Sequence, residues 1–201
     1  MFYYLEGTVA EISQNLAVID INGAGYACMT TLNTLSRLET GKKARLYTYC
    51  NVKEDAFDIY GFFDISEKRC FELLISVSGV GPKAALSILS SCTPESLALA
   101  IIGDDETALT LAPGIGKKLA QRIILELKDK VSKETAALKT TGYVPPRDVE
   151  GQPGSKQRDA AAALAVLGYS QGEISAAMRT MDPTTLTTEE IIREVLKKST
   201  K

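Results

Sequence analysis

The chain has 201 residues, of which 45% are hydrophobic, so it is long enough to form one or two ordinary domains or three small ones. It contains no histidine, which excludes a Ser-His-Asp or Cys-His catalytic site and a histidine-ligated metal site. Its net charge of −2 excludes binding to nucleic acid through an all-round positive field.

The first 65 residues predict β-strands. Asn22-Gly23 is typical of a tight hairpin turn, and Gly7 indicates either a bulge or a point of close packing. One or two helical turns are expected over residues 31–38. The five predicted strands cover residues 2–12, 16–21, 25–30, 44–52 and 57–63. Five short strands favour a small closed barrel of the OB kind, with a plain β-meander as the alternative.

Residues 66–138 predict helices. Ser66 is the expected N-cap of the first helix, and Pro94 suits the first position of a later one. Gly103 is expected to end that later helix, and Asp104 to cap the next.

Residues 139–155 contain three prolines, three glycines and few apolar side chains, which predicts a disordered linker. Three short helical segments are predicted beyond it, with Thr188 capping the last; they cover residues 156–167, 171–181 and 188–198. The predicted fold class is therefore α+β and multidomain, with a barrel, a helical region and a three-helix module.

One pattern occurs twice in the helical region, over residues 77–85 and 112–120. Both copies read small or apolar residue, any residue, Gly, apolar residue, Gly, any residue, Lys, any residue, Ala. Each copy follows one predicted helix and begins another, 35 residues apart. The sequence therefore predicts two helical hairpins of the same design.

The chemistry of this pattern suits an anion. Glycines permit positive φ and leave no Cβ to hold a phosphate away. Each turn leads into a helix N-terminus, where free N–H groups and the helix dipole favour negative charge. Val80 and Ile115 are expected to point inward, while Lys83 and Lys118 add charge. A single glycine turn can equally be a packing device between two helices, but two copies with the lysine in step favour binding.

Charge, cysteines and hydropathy add three expectations. Residues 1–65 have a net charge of −3, residues 66–139 of +1, and residues 140–201 are balanced, so a DNA contact must come from locally placed groups. The four cysteines form no C-x-x-C pair, which predicts small buried thiols in a reducing cytoplasm. Neither a membrane-spanning run nor a signal-peptide pattern is found, so no membrane association is expected.

Throughout its length the chain resembles the RuvA family, the Holliday-junction-binding subunits of bacterial branch migration. The resemblance lies in the two glycine turns, in residues 53–56 with 60–62, in residues 163–169, and in the domain order. It implies an OB-like tetramerisation domain over 1–65, a tandem helix-hairpin-helix domain over 66–138, and a UBA-like domain over 156–201. The implied DNA-contact residues are Gly79, Val80, Gly81, Lys83, Gly114, Ile115, Gly116, Lys117, Lys118 and Arg122.

The resemblance also implies a homotetramer, with one or two tetramers on a four-way junction. Glu54 and Asp55 resemble the acidic pin of the family, which repels phosphates at the centre of the tetramer and helps to part the strands. The alternative is two solvated charges at an ordinary turn. The physical argument for a pin is that a carboxylate pair on a hairpin tip opposes close approach of DNA.

The C-terminal module resembles the RuvA domain that contacts RuvB, the hexameric ATPase of the complex; the RuvC resolvase is a further implied partner. Leu164, Leu167 and Tyr169 are the candidate contact residues, although a core role in a three-helix bundle is the alternative. The chain has no P-loop, so ATP hydrolysis is expected only in the partner, and no cofactor or metal is expected.

Two kinds of enzyme are alternatives. A helix-hairpin-helix glycosylase needs an aspartate about 18 residues after a lysine such as Lys118, near Ala136, and Asp129 comes too early. A metal-dependent nuclease needs converging carboxylates, for which residues 104–106 are the candidates, yet a capped helix start accounts for them. A generic duplex-binding module is the third alternative.

Overall fold

The computed structural model describes residues 1–139, 157, 160–161, 164–165, 169, 171–179 and 186–199. These form two compact units, one containing residues 1–94 and 111–114, the other 95–110 and the residues from 115 onward. The linker predicted over 139–155 lies outside the described residues except for Lys139, which ends a helix.

The first unit contains a closed five-stranded barrel. Its strands are β1 (Tyr4–Ser13), β2 (Leu16–Ile21), β3 (Ala24–Met29), β4 (Lys43–Val52) and β5 (Phe57–Phe62). They neighbour one another in the order β1-β2-β3-β5-β4, and the ring closes between β4 and β1. Every pair is antiparallel except β3 with β5. The predicted OB-like barrel is thus confirmed over the meander.

Alternating apolar residues fill the barrel. Val9, Ile19 and Leu46 have no exposed surface, and they lie among a larger buried cluster. Gly7 is required by close packing, because a Cβ there would lie 2.1 Å from the Asp20 carbonyl oxygen. The bulge itself falls two to four residues later, where the register of β1 against β2 shifts between Val9 and Glu11.

Three helices complete the first unit: α1 (Leu32–Leu35), α2 (Ile65–Ile75) and α3 (Pro82–Ser91). Phe71 of α2 packs against the barrel. Its ring centroid lies 5.0 Å from that of Tyr60 and 4.9 Å from that of Phe62, both in β5. The expected cap at Ser66 is wrong: Asp64 occupies the N-cap position, and Ser66 is buried inside α2.

Glu67 is a buried carboxylate at this barrel–helix junction, with 4% of its surface exposed. It accepts hydrogen bonds from the hydroxyls of Thr31 and Thr34, the second at 2.6 Å. Burial, the largest influence, raises the pKa of Glu67, and the two threonine hydrogen bonds oppose that rise. The carboxyl group therefore ties α2 to α1 but is costly to ionise there.

The second unit contains α4 (Pro94–Ile102, whose first residue belongs to the first unit), α5 (Glu106–Thr110), α6 (Lys117–Lys139), α7 (Gln171–Met178) and α8 (Thr188–Ser199). Pro94 begins α4 as expected. Two cap assignments are wrong by one residue. The Asp105 carboxylate, rather than that of Asp104, accepts from the first amides of α5. Thr187, rather than Thr188, caps α8 through a reciprocal pair of hydrogen bonds with Glu190.

All four cysteines are free, and three of them are buried. Burial raises the pKa of Cys28 to about 12 and that of Cys92 to about 11, so both thiols stay protonated and unreactive at neutral pH. Among the described residues, no single helix is long and apolar enough to cross a membrane, and only the bent pair α3–α4 taken together meets that criterion, on length and composition alone.

Candidate nucleic-acid interface

The repeated pattern lies on two helix–helix connections that have the same length and the same backbone conformation. The first bend, residues 76–81, joins α2 to α3, and the second bend, residues 111–116, joins α5 to α6. The first glycine of each bend is left-handed, with φ of +88° at Gly79 and +84° at Gly114. The repeat seen in the sequence is therefore a repeat of local conformation, offset by the same 35 residues.

The second glycine of each bend has a different explanation. Gly81 has φ of −87°, which any residue adopts, and Gly116 is not among the positive-φ residues. A Cβ at either position would meet no atom within 4 Å. The expectation that both glycines serve positive φ is thus wrong, since neither backbone conformation nor packing within the chain requires glycine at 81 or 116.

The middle residue of each bend points inward as expected. Val80 and Ile115 are each only 5% exposed, while the glycines on either side are exposed. The apolar side chain anchors the bend and leaves the backbone at the surface. Such an arrangement presents peptide groups, with no side chain in front of them, to whatever approaches from solvent.

Each bend leads into a helix whose first amides precede the first i→i−4 hydrogen bond of that helix. No side chain caps α3, whose first i→i−4 bond runs from the Ala85 N–H to the Gly81 carbonyl at 3.0 Å. In α6 the equivalent bond runs from Ala120 to Gly116, also at 3.0 Å. The Leu119 N–H also donates to the Gly116 carbonyl at 3.0 Å, so in α6 the amides of residues 117 and 118 are the ones left at the helix end, where the dipole favours an anion.

The predicted basic residues lie beside these amides. Lys83 and Lys118 occupy the second position of their helices, and both are exposed, as is Arg122 one turn further along α6. Lys117 is 76% exposed, and its Nζ lies 3.8 Å from a carboxylate oxygen of Glu106. That distance is too long for a strong ion pair in solvent, so Lys117 remains accessible to an anion.

Sequence reasoning missed Ser87, whose hydroxyl donates to the Pro113 carbonyl at 2.8 Å. This hydrogen bond connects α3 to the second bend across 26 residues of sequence. Aligning the two copies of the repeat pairs Ser87 with Arg122, so the sequence could have drawn attention to position 87. Nothing in the sequence, however, indicates that its hydroxyl bonds to Pro113.

Glu54 and Asp55 lie where the pin hypothesis places them, at the tip of the β4–β5 hairpin, and both are exposed. The tip is closed by one backbone hydrogen bond, from the Lys53 N–H to the Ala56 carbonyl at 2.8 Å. Val52 and Phe57, at the base of the tip, are 70% and 53% exposed; these apolar flanks were also missed. The carboxylates therefore project into solvent from a short, backbone-closed turn.

Two of the three candidate contact residues in the C-terminal module are core residues. Leu164 is fully buried and Tyr169 is 3% exposed, so neither can form an exposed contact surface, and the core alternative holds for both. Leu167 lies outside the described residues.

The acidic residues at the start of α5 are occupied by structural contacts. Asp105 caps the helix, Asp104 pairs with Lys128 at 2.6 Å, and Glu106 accepts from Gln121 at 2.8 Å. Among the described residues no group of three or more metal-binding side chains converges. This disposition supports the helix-start interpretation of residues 104–106 over a nuclease site.

Three family comparisons cover most of the chain. Residues 1–61 match the RuvA N terminal domain, residues 71–129 match the SAM-like helix-hairpin-helix tandem, and residues 155–199 match the RuvA C-terminal domain. The matched ranges follow the order barrel, paired helical hairpins and C-terminal helices.

Full-length relatives agree with the domain matches. A protein of Acetivibrio thermocellus named Holliday junction branch migration complex subunit RuvA is 44% identical over 201 residues, which is 98% of both chains. Proteins of the same name from Ruminiclostridium cellulolyticum and Alkaliphilus oremlandii are 40% and 41% identical, each over 98% of this chain and 99% and 98% of their own. At this identity over essentially the whole length, the chain belongs to the RuvA family.

Proposed function

We propose that this protein is a DNA-binding subunit of a branch migration complex that recognises four-way Holliday junctions in recombination and repair. The main support for the proposal is that the second glycines of the bends, Gly81 and Gly116, are exposed, and that neither backbone conformation nor packing inside the chain requires glycine there. A ligand that approaches the backbone closely accounts for them. The relatives named above supply the identity of that ligand as a Holliday junction.

The binding chemistry follows from the two bends. Amides at the start of α3 and α6 donate to phosphate oxygens, and Lys83 and Lys118 add charge-assisted contacts. Contacts of this type read the sugar-phosphate backbone and carry no base information, so the protein binds junctions with little sequence preference. The chain performs no bond-breaking step in this scheme, and ATP is consumed by the motor partner.

A chain with net charge −2 needs several copies to bind firmly. In a homotetramer formed through the barrel, four subunits with two bends each act together on one junction, which raises affinity through effective concentration. One or two such tetramers would hold the four arms open. Glu54 and Asp55, gathered near the crossover, would repel phosphates and keep the arms apart.

The C-terminal module would contact the RuvB motor, and the RuvC resolvase would act on the same assembly. Because Leu164 and Tyr169 are buried, this contact would use exposed residues of the module. We further propose that the protein resides in a reducing cytoplasm, since all four of its cysteines are free.

A direct test compares affinities of the full chain for a four-way junction and for a linear duplex of equal length and base composition. We expect the junction to bind at least about 100-fold more tightly than the duplex at physiological salt, since several bends act together on it. Equal affinity for both DNAs would refute junction recognition and leave a generic duplex-binding module.

A further inference from the structure

We propose that Ser87 is a positioning residue that couples the two bends, by holding the Pro113–Gly114 peptide in the orientation that the second bend needs to bind phosphate. The inference rests on the proposed function and adds a residue to it. Its basis is the 2.8 Å hydrogen bond from the Ser87 hydroxyl to the Pro113 carbonyl.

Ser87 departs from the usual behaviour of a serine inside a helix. Such a hydroxyl ordinarily donates to the carbonyl four residues earlier in its own helix. Ser91, one turn further along α3, does this and donates to the Ser87 carbonyl at 3.0 Å. Ser87 donates instead to a carbonyl 26 residues later in the chain, so its hydroxyl makes a tertiary contact.

The acceptor is well placed to control the bend. The Pro113–Gly114 peptide is planar, so fixing its carbonyl also fixes the Gly114 N–H, which points in the opposite direction. Gly114 is the left-handed residue of the second bend, with φ of +84°, and glycine at such a position has broad rotational freedom. A hydrogen bond to the preceding carbonyl removes part of that freedom before DNA arrives.

The hydroxyl is not dictated by the repeat. The position equivalent to Ser87 in the second copy is Arg122, so the helical hairpin as such accepts a long cationic side chain there. A short hydroxyl at position 87 is explained by the reach to Pro113. Because α3 itself begins at the first bend, this one contact links the element that follows the first bend to the backbone of the second.

The test is a pair of double-mutant cycles in the full chain, with affinity for a synthetic four-way junction and its salt dependence as readouts. Ser87→Ala is expected to weaken junction binding about threefold to tenfold, the usual range for one hydrogen bond. Combined with Gly116→Ala, which already disables the second bend, it should add less than about twofold. Combined with Gly81→Ala, which disables the first bend, it should keep its full effect.

Two variants serve as controls. Ser87→Thr retains a hydroxyl and should restore most of the affinity. Ser91→Ala removes a hydroxyl that bonds within its own helix, and should leave binding unchanged. Melting temperatures measured alongside separate a loss of fold from a loss of positioning.

The results distinguish a failure of the Ser87 role from a failure of DNA binding by the bends. If Gly81→Ala and Gly116→Ala both leave junction affinity unchanged, the bends do not bind DNA and the proposed function fails. If those variants weaken binding but Ser87→Ala does not, or if its effect is fully additive with that of Gly116→Ala, only the coupling role of Ser87 is overturned.

Discussion

The two bends and the tip of the β4–β5 hairpin are both short, exposed connections, yet they present opposite chemistry. In the bends the surface consists of peptide groups at helix N-termini, and the side chains at residues 80 and 115 turn inward. At the tip the backbone bonds to itself, between Lys53 and Ala56, and carboxylates project outward. Under the proposed function, a chain with net charge −2 would attract DNA at one type of turn and repel it at the other.

The contrast has a consequence for mutagenesis. Charge at the tip belongs to side chains, so it can be removed without touching the backbone. The proposed attraction at the bends would come mainly from backbone amides, so testing it requires covering or repositioning those amides or changing the neighbouring charges. Four experiments test the two regions against each other, and a fifth tests the buried carboxyl group of Glu67; they are described from the largest expected effect to the smallest.

The largest effect is expected from covering the amides in Gly81→Ala combined with Gly116→Ala. Each methyl group has open space within the protein, so the melting temperature should stay the same or rise slightly. Junction affinity should fall about 100-fold or more, because two phosphate contacts per subunit are lost. Fluorescence anisotropy with labelled junction measures the affinity.

A matched pair separates strain from binding. Gly41 and Gly114 both have positive φ, +83° and +84°, and both have open space for a Cβ. Alanine at either should destabilise the fold by about 1–2 kcal/mol, the usual cost of a Cβ in the left-handed region. Only Gly114→Ala should weaken junction binding beyond that shared cost, and a similar loss in Gly41→Ala would attribute the effect to strain.

Removing the lysines beside the amides should have an intermediate effect. Lys83→Ala and Lys118→Ala should each weaken binding about threefold to tenfold, irrespective of DNA sequence, and reduce the slope of log affinity against log salt by about 1. Lys43→Ala on the barrel, which changes the net charge equally, is the control. A slope that shifts as much in the control would show a general charge effect in place of a phosphate contact.

Neutralising the tip should act in the opposite direction. Glu54→Gln with Asp55→Asn is expected to leave junction affinity unchanged or raise it up to about tenfold at low salt, because repulsion is removed. The gain should fade as salt is raised. Sharply weaker binding at every salt concentration would contradict a repulsive role for these carboxylates.

The smallest effect concerns stability alone and involves the buried carboxyl of Glu67. Because burial raises its folded-state pKa above the ordinary value, its stabilising contribution is complete at acidic pH and is lost as pH rises through that raised pKa. Glu67→Gln lacks this dependence, so it should melt higher than the wild type at pH 7 and lose the advantage toward pH 4.5. Identical pH profiles of the two melting temperatures would show that Glu67 is not costly to ionise.

The barrel and the repeat were predictable because both depend on local pattern. Alternating apolar residues predicted β2 to the residue and β4 and β5 to within one, and two glycine-lysine copies in step predicted the bends. Helix starts were less predictable. Several adjacent polar residues can cap a helix, and the choice of Asp105 or Thr187 depends on which side chain reaches the free amides.

Contacts between residues far apart in the chain could not be predicted from the sequence. An apolar pattern could not separate a buried Leu164 and Tyr169 from an exposed contact surface, since both alternatives need the same residue types. The contact between Ser87 and Pro113 joins residues with no sequence pattern in common. That Gly81 and Gly116 need not be glycine for the fold followed only from the space around them.

Phosphate binding by the two bends is tested most directly by following the backbone amides of the uniformly ¹⁵N-labelled full chain by NMR as a four-way junction is added. If the bends bind phosphate, the largest chemical-shift changes should fall on amides 81, 83 and 84 of the first bend and its helix, and on 116–118 of the second. Large changes confined to other surfaces, with these amides unmoved at saturation, would contradict phosphate binding by the bends.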